Sequence, residues 1–480
     1  MALSAAAVLA SLGGGERSPE PERKAASSRG TGTGVLLCRY GLSTHGLPDV
    51  DALKERLSAI KGVAWVADEA FACRAVRRPR IQDQIQERDI GTLISTCYGP
   101  SHQALFDHAF SSDGAPEVRL IDLAEPEKAT GAWLADRIGE GVSSGPVEAA
   151  KPVDILQRAV VVGGGPAGLT AALNLAGQGV EVDLVGLGPS LGGHLARLKL
   201  PLDTEEQPEE VLKSIVDAVD ADDRIHVTTD TRVTGIEGEP GRYAVTGSKG
   251  GSEVSFRAGA VVLATGALDY EPTEYAGDGR MLTQAEFEER LAAGEVEGGR
   301  VVMVQCVGSR SEEYAACSQV CCAQAIRNAL RLKNAKPEVE ITILHRGIRV
   351  FGLDEDIYTE ATEAGVSFVQ VAEPPMVNTD DVLKVTFVDG EDHKEIEPDL
   401  VVLSTGLRPP EAADSIAAAA GLTLHAFGFF KPLDRTLHPV ETARPGIFVC
   451  GLATGPKPMG DCIAQGFAAA GRAAAFLRER

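Results

Sequence analysis

Apolar and polar positions alternate along the chain in short blocks. Gly34-Val-Leu-Leu-Cys-Arg-Tyr-Gly predicts a strand running into a loop, Asp49 to Ile60 a helix, and Val63-Ala-Trp-Val-Ala a second strand. Arg80 to Glu87 follows with a helical pattern, and Thr92-Leu-Ile-Ser-Thr-Cys reads as another strand. Strand and helix taking turns predict a small α/β domain over 31–113. Residues 114–156 mix Pro, Gly, Ser and charge around one helical stretch and read as a linker. Residues 1–30 read as a disordered tail; Ala2 to Leu12 is apolar but lacks the basic flank and cleavage motif of a signal peptide.

A second alternation opens at Ala159-Val-Val-Val, with its next strand at 181–185. The stretch from Arg257 to Ala264 runs into Thr265-Gly266. A strand begins within 298–304, a helix runs from Cys322 to Lys333, and Glu340 to Leu344 is a strand. Leu400 to Ser404 ends in a second Thr-Gly pair, and Ile447 to Cys450 precedes a long helix through Leu477. No solenoid-type repeat is present.

Composition narrows the reading. At roughly 150 residues per domain, 480 residues suggest about three domains. With 46 basic and 69 acidic residues the net charge is −23, which disfavours nucleic acid and anionic lipid as partners. No apolar run reaches the length that spans a bilayer. Nine cysteines, four of them within 306–322, suit metal or redox chemistry in a reducing cytoplasm better than a secreted disulfide framework.

Val160-Val-Val-Gly163-Gly164-Gly165-Pro166-Ala167-Gly168 places G-x-G-x-x-G between a strand and a helix. Gly163 suits the tight turn, Gly165 the approach of a pyrophosphate, and Gly168 the packing of helix on strand. The helix that starts at Pro166 and Ala167 would turn its free N–H groups toward the phosphates, Pro166 itself having none. The second strand should end in an acid for the ribose, but Gly186 follows Val185. With Leu191-Gly192-Gly193, Ala264-Thr265-Gly266 and Ile447-Phe-Val-Cys-Gly451, the pattern resembles the FAD domain of two-dinucleotide flavoproteins. That resemblance implies a thioredoxin-reductase-like fold. It splits the FAD-binding domain into 157–270 and 405–480 around an inserted nucleotide-type domain, 271–404.

In the inserted domain, strand 300–305 should lead into a second glycine turn for a nicotinamide. It leads instead into Cys306, Cys317, Cys321 and Cys322. Four thiolates at this spacing suit a [4Fe–4S] cluster, and the helix start favours ionised Cys321 and Cys322. Zinc, a Cys317/Cys321 redox dithiol and buried structural thiols remain open at this point.

Val304-Gln-Cys-Val-Gly-Ser-Arg310, Cys317-Ser-Gln-Val-Cys-Cys322, Ile341-Thr-Ile-Leu-His-Arg-Gly-Ile-Arg349 and Gly455-Pro-Lys457 resemble the A-type subunits of the heterodisulfide reductase family. So do Leu37-Cys38-Arg-Tyr-Gly41, Phe71-Ala-Cys73 and Ser95-Thr-Cys97-Tyr-Gly-Pro-Ser-His102. The resemblance implies an electron-transfer flavoprotein subunit with FAD and a [4Fe–4S] cluster held by the four cysteines at 306–322. Its partners would be redox subunits of heterodisulfide reductase B/C type or ferredoxin-like, and a homodimer within that complex is compatible. The family's Cys-x-Cys-Gly start is Cys38-Arg-Tyr-Gly41 here, and no Cys-x-x-Cys-x-x-Cys ferredoxin run occurs. Cys38, Cys73 and Cys97 are candidates for a second cluster, and Lys457 for stabilising reduced anionic flavin. Cys450 and Cys462 read as packing residues. The competing function is an NAD(P)H-dependent dithiol oxidoreductase using Cys317 and Cys321.

Overall fold

The computed structural model describes residues 31–39, 42, 49–72, 79–97, 106, 116–122, 131–143, 155–201, 206–273, 277–352 and 354–478. They pack as two units, one holding the described residues up to 143 with 433–439, the other holding 155–432 and 440–478.

The first unit runs β1 (Gly32–Cys38), α1 (Val50–Ser58), β2 (Val63–Glu69), α2 (Pro79–Glu87), β3 (Ile90–Cys97), β4 (Glu117–Asp122) and α3 (Gly131–Ser143). Its parallel sheet has the order β2-β1-β3-β4. Both faces are covered, as a parallel sheet requires. Leu53, Leu57, Leu134 and Ile138 pack on Val35, Leu37 and Ile94; Ile81 and Ile85 pack with Leu36 and Leu93 on another cluster. The linker reading of 114–156 is therefore corrected over 117–122 and 131–143. That stretch supplies an edge strand and a helix whose apolar face completes the core. Cys38 is buried at the end of β1, and Cys97 closes β3. The side chain of Cys97, and all of Cys73, lie outside the described residues.

The second unit begins with β5 (Arg158–Val162), α4 (Pro166–Gly177), β6 (Glu181–Val185), α5 (Pro208–Asp220), β7 (Ile225–Thr228) and the antiparallel β8 (Thr231–Glu239), β9 (Arg242–Lys249) and β10 (Ser252–Ala258). From β11 (Ala260–Leu263) the chain passes through β12 (Leu268–Asp269) into a second alternation. This comprises β13 (Met281–Thr283), α6 (Gln284–Ala293), β14 (Arg300–Val307), α7 (Cys321–Ala335), β15 (Glu340–His345), α8 (Asp354–Glu363) and β16 (Ser367–Gln370). A three-stranded sheet, β17 (Met376–Asn378), β18 (Lys384–Asp389) and β19 (Asp392–Ile396), precedes β20 (Leu400–Thr405). The chain returns through β21 (Leu407–Arg408) and α9 (Ala413–Ala420) to β22 (Ile447–Val449) and α10 (Met459–Arg478).

Two parallel five-stranded sheets result, β22-β11-β5-β6-β7 and β13-β20-β14-β15-β16. The outgoing and returning segments pair antiparallel as β12-β21, Leu268 opposite Arg408. The architecture is α/β, a two-dinucleotide-binding, thioredoxin-reductase-like fold with an additional small N-terminal α/β domain. Among the described residues no helix is long and apolar enough to cross a membrane.

Close backbone approach sets the position of α4. A Cβ at Gly168 would lie 1.8 Å from Gly163 O, and one at Gly163 would lie 2.0 Å from Ala264 O. Gly466 of α10 meets α4 in the same way, its Cβ 2.5 Å from Ala167 O. Gly168→Ala is expected to cost about 3 kcal/mol. In urea denaturation this appears as a lower midpoint with an unchanged slope.

Candidate functional site

The parallel strands β5, β11 and β20 end at one cavity of about 830 Å³. On one side it is lined by Gly163–Ala167, Gly186–Gly188, Gly193, Ala264–Gly266 and Leu452. On the other it is lined by Gln284, Cys321, Gln324, Arg327 and Ser404. A cavity at the carboxyl ends of parallel strands is where such sheets bind ligands.

The expected cofactor-binding residues divide by geometry. Gly163, Gly165, Pro166, Ala167, Gly193, Ala264, Thr265 and Gly266 line the cavity. Gly168, Gly192 and Gly451 are not among the lining residues and shape its walls instead. A Cβ at Gly192 would meet Leu212 at 2.7 Å, and one at Gly451 would meet Ala167 Cβ at 2.6 Å. Gly165 alone in the fingerprint has space above it, the nearest atom to an added Cβ being Gly193 Cα at 4.0 Å. Thr265 Oγ1 is buried and has no hydrogen-bond partner among the described residues. A glycine cradle with an open centre and an orphaned hydroxyl fits a dinucleotide phosphate.

The acids before Gly186 are engaged elsewhere. Asp183 pairs with Arg158 at 3.0 Å, and Glu181 Oε2 lies 3.1 Å from His226 Nε2. Burial pushes the Asp183 carboxyl up, against the pull of Arg158. Ser190 is a polar side chain lining the same end. Lys457 also lines the cavity, but its ammonium donates to Gly451 O, to Thr454 Oγ1 at 2.9 Å and to Gly455 O at 2.6 Å. Its donors hold that turn, and only its charge remains to act on a ligand.

The four cysteines meet at the carboxyl end of β14. Cys306 lies in that strand, Cys317 in the loop after it, and Cys321 and Cys322 open α7. The loop carries strain. Of the five described non-glycine residues with positive φ, Cys306 (64°), Arg310 (53°) and Gln319 (61°) lie here. Each such conformation costs about 1–2 kcal/mol, and such outliers cluster at functional sites.

Pins to the β12-β21 junction hold the loop in this shape. Gly406 N donates to Val307 O at 2.8 Å, and Leu407 N to Ser318 Oγ at 2.7 Å. The Tyr270 ring covers Gly308, where an added Cβ would come within 2.3 Å of it. The Arg408 guanidinium stacks on Tyr314 at 3.6 Å and on Tyr270 at 5.0 Å. The turn after β14 therefore faces protein rather than an open phosphate site.

The seven cysteines whose side chains are described are free thiols. Those at 306–322 lie near enough to influence one another's ionisation. Cys321 donates its S–H to Cys322. That bond, with the Arg349 backbone N–H and the charges of Arg310 and Arg349, brings Cys322 down to about 6 despite its burial. The same bond, together with burial and the neighbouring thiols, drives Cys321 well up. Burial, with Cys322 adding to it, raises Cys306 against the opposing Arg310. The helix start was expected to favour both adjacent thiolates; it is Cys322 that ionises, because Cys321 is the donor. Among the described residues no three His, Cys, Asp or Glu side chains are grouped as around a bound metal ion. The donor chemistry of the four thiols, as soft ligands, suits iron. Burial pushes Cys450 up to about 12 and Cys462 up to about 11, as packing residues require.

Arg310, Arg349 and the Gln284–Ser404–Gln305 network (3.2 and 2.7 Å) are features the sequence reading missed. The arginines lie within the quoted motifs, so their signal was present without an assigned role.

The family model of pyridine nucleotide-disulphide oxidoreductases matches residues 157–466. The chain is 26% identical to the A-type subunit of the H(2):CoB-CoM heterodisulfide,ferredoxin reductase of Methanothermobacter marburgensis, over 92% of this chain and 84% of that one. It is 27% identical to the A-type iron-sulfur subunit of the CoB--CoM heterodisulfide reductase of Methanocaldococcus jannaschii, over 91% and 84%. Lactococcus lactis thioredoxin reductase superposes with a TM-score of 0.52 and 20% identity, covering 68% of this chain and 100% of that one.

In metal-free protein, thiolate absorbance should show one thiol ionising near pH 6. Cys321→Ala removes the donor and should move that step upward. The folded value lies below the ordinary 9.0, so Cys322 stabilises the fold fully above pH 9. That contribution fades as pH falls toward 6, which pH-dependent denaturation of wild type against Cys322→Ala measures.

Proposed function

The chain belongs to the pyridine nucleotide-disulphide oxidoreductase family, and from that premise we propose that it is the electron-transfer flavoprotein subunit of a heterodisulfide-reductase-like complex. It is a flavin-dependent oxidoreductase. The proposed cofactors are FAD in the cavity at Gly163–Ala167 and a [4Fe–4S] cluster on Cys306, Cys317, Cys321 and Cys322. One observation carries the reading: the glycine cradle and Cys321 line the same cavity. A bound flavin takes up electrons in pairs, and an iron–sulfur cluster carries them singly.

The chain's own residues do the rest. Gly165 and the first turn of α4 present backbone N–H groups to the pyrophosphate, while the Gly163 N–H holds the turn on Val185 O at 2.8 Å. Thr265 Oγ1 supplies a hydroxyl still seeking a partner. The Lys457 charge favours an anionic reduced ligand. Tyr270, Tyr314 and Arg408 keep the cysteine loop against the junction of the two sheets. The partners are redox subunits of heterodisulfide reductase B/C type or ferredoxin-like, as the names of the relatives suggest, and the compartment is the cytoplasm, where free thiols persist. Cys38, Cys73 and Cys97 are the proposed candidates for a second cluster.

The NAD(P)H-dependent dithiol alternative finds less support. Gly308 is covered by Tyr270, so the turn after β14 offers no open cradle for a nicotinamide's phosphates.

Iron, sulfide and flavin content of anaerobically purified protein tests the proposal. About four irons and one FAD per chain are expected, with iron lost and flavin kept in Cys322→Ala. Flavin without iron, and two thiols appearing on reduction, would support the dithiol reductase instead. Gly165→Ala should unfold like wild type yet lose FAD on gel filtration, because its methyl enters the open centre of the cradle.

A further inference from the structure

The two parallel sheets of the second unit are joined by a narrow junction. β12 and β21 are two residues each and form one short antiparallel pair. Residues 193–201 span the same gap. They leave the glycine cradle through a short 3₁₀ turn, Gly193–Arg197, and Gly193, His194, Arg197 and Leu198 line the cavity. Leu195 is buried in the core cluster of the first sheet, and Leu198 packs against it. This end of the segment is therefore fixed to the cradle.

The other contacts of the segment reach the junction and the second sheet. His194 Nε2 lies 2.9 Å from Ala267 O, and Arg197 Nη1 pairs with Asp269 Oδ2 of β12 at 2.7 Å. Farther along, the Lys199 and Leu200 N–H groups both donate to Glu288 Oε1, at 2.8 and 3.0 Å. Arg331 of α7 donates to Pro201 O.

Magnitudes decide which contact matters most. The Arg197–Asp269 pair is half-exposed, and such pairs contribute little. Glu288, on α6, is 2% exposed. A carboxylate so deeply buried is destabilising unless hydrogen bonds offset its lost hydration. Its Oε1 takes both N–H groups of the segment, and its Oε2 lies 3.4 Å from Gln324 Nε2. Lys199 and Leu200 lie outside any helix or strand, so the carboxylate supplies what a ladder would otherwise give their N–H groups. Pulling the two sides apart leaves one acceptor and two donors unmatched at once.

We propose that residues 193–201 are a strap that latches the two sheets together across the cavity. Glu288 is the positioning residue that holds it, and the latch keeps the junction from hinging and the dinucleotide from leaving. For its ligand the proposal rests on the flavin reading above.

The test compares the wild-type full chain with Glu288→Gln, which keeps an acceptor oxygen, and Glu288→Leu, which keeps bulk without one. Two quantities are read on each: amide hydrogen exchange by mass spectrometry, and the rate of FAD release after dilution, followed by flavin fluorescence. In Glu288→Leu, exchange at Lys199 and Leu200 and at β12 and β21 should rise together, and FAD should leave about tenfold faster. Glu288→Gln should stay close to wild type. A role in packing alone makes leucine as good a replacement as glutamine. Faster exchange confined to the strap, with β12 and β21 protected as before, overturns the latch, and so does equal behaviour of the two variants. Should Glu288→Leu fail to fold, Arg331→Met carries the test. Faster exchange at β12 and β21 with faster FAD release supports the latch, and no change in either overturns it. Wild-type protein without flavin overturns the flavin reading separately, and exchange at β12 and β21 then decides the latch alone.

Discussion

Everything at the cavity depends on how closely three backbones approach where β5 passes into α4. Gly168 lies against Gly163, Gly163 against Ala264, and Gly466 against Ala167, each with too little space for a methyl group. These contacts draw α4 and α10 onto the sheet and aim the free N–H groups of α4 into the space above it. They also set where β11 ends, and so where the chain leaves for the second sheet. The strands that cross there, β12 and β21, are only two residues long. The cysteine loop is pinned to this short junction, so the position of the sulfur group follows from the glycine contacts one step removed.

The second organising term is charge in a buried place. Burial opposes ionisation of Cys306, Cys321 and Cys322, and Cys322 overcomes it. Cys322 does so because a neighbouring S–H, a backbone N–H and two arginines all favour its anion. One of them, Arg310, belongs to a loop that gives up relaxed backbone geometry at Cys306, Arg310 and Gln319. Strain of this kind persists only where the surroundings enforce it, and here the Tyr270–Arg408–Tyr314 stack does so, with Arg310 Nη1 donating to Arg346 O and Arg346 Nη1 to Arg310 O.

Much of this was legible in the sequence, for reasons that can be stated. The fingerprint glycines were readable because each has its own steric or ligand-facing requirement, and the buried strands because runs such as Val160–Val162 admit few other structures. Four cysteines in place of a second glycine turn marked where the inserted domain departs from a nicotinamide site. What stayed hidden was non-local. Glu117–Asp122 looks like linker because Glu117, Arg119 and Asp122 interrupt its apolar residues, and only pairing with β3 makes it a strand. Nothing local separates Cys321 from Cys322, since donor and acceptor roles depend on burial and on Arg349 across the fold. Lys457 looked free because its three partners are backbone and hydroxyl oxygens of its own turn. Arg310 stood in a recognised motif, but its partner lies on another strand's end.

The central claim is that flavin and an iron–sulfur group share this cavity's two walls. The electron paramagnetic resonance spectrum of anaerobically purified, dithionite-reduced full chain tests it most directly. The account predicts a fast-relaxing iron–sulfur signal integrating to about one spin per flavin, absent from Cys322→Ala. A spectrum containing only a slowly relaxing flavin radical, or none at all, from protein that holds its flavin would contradict it.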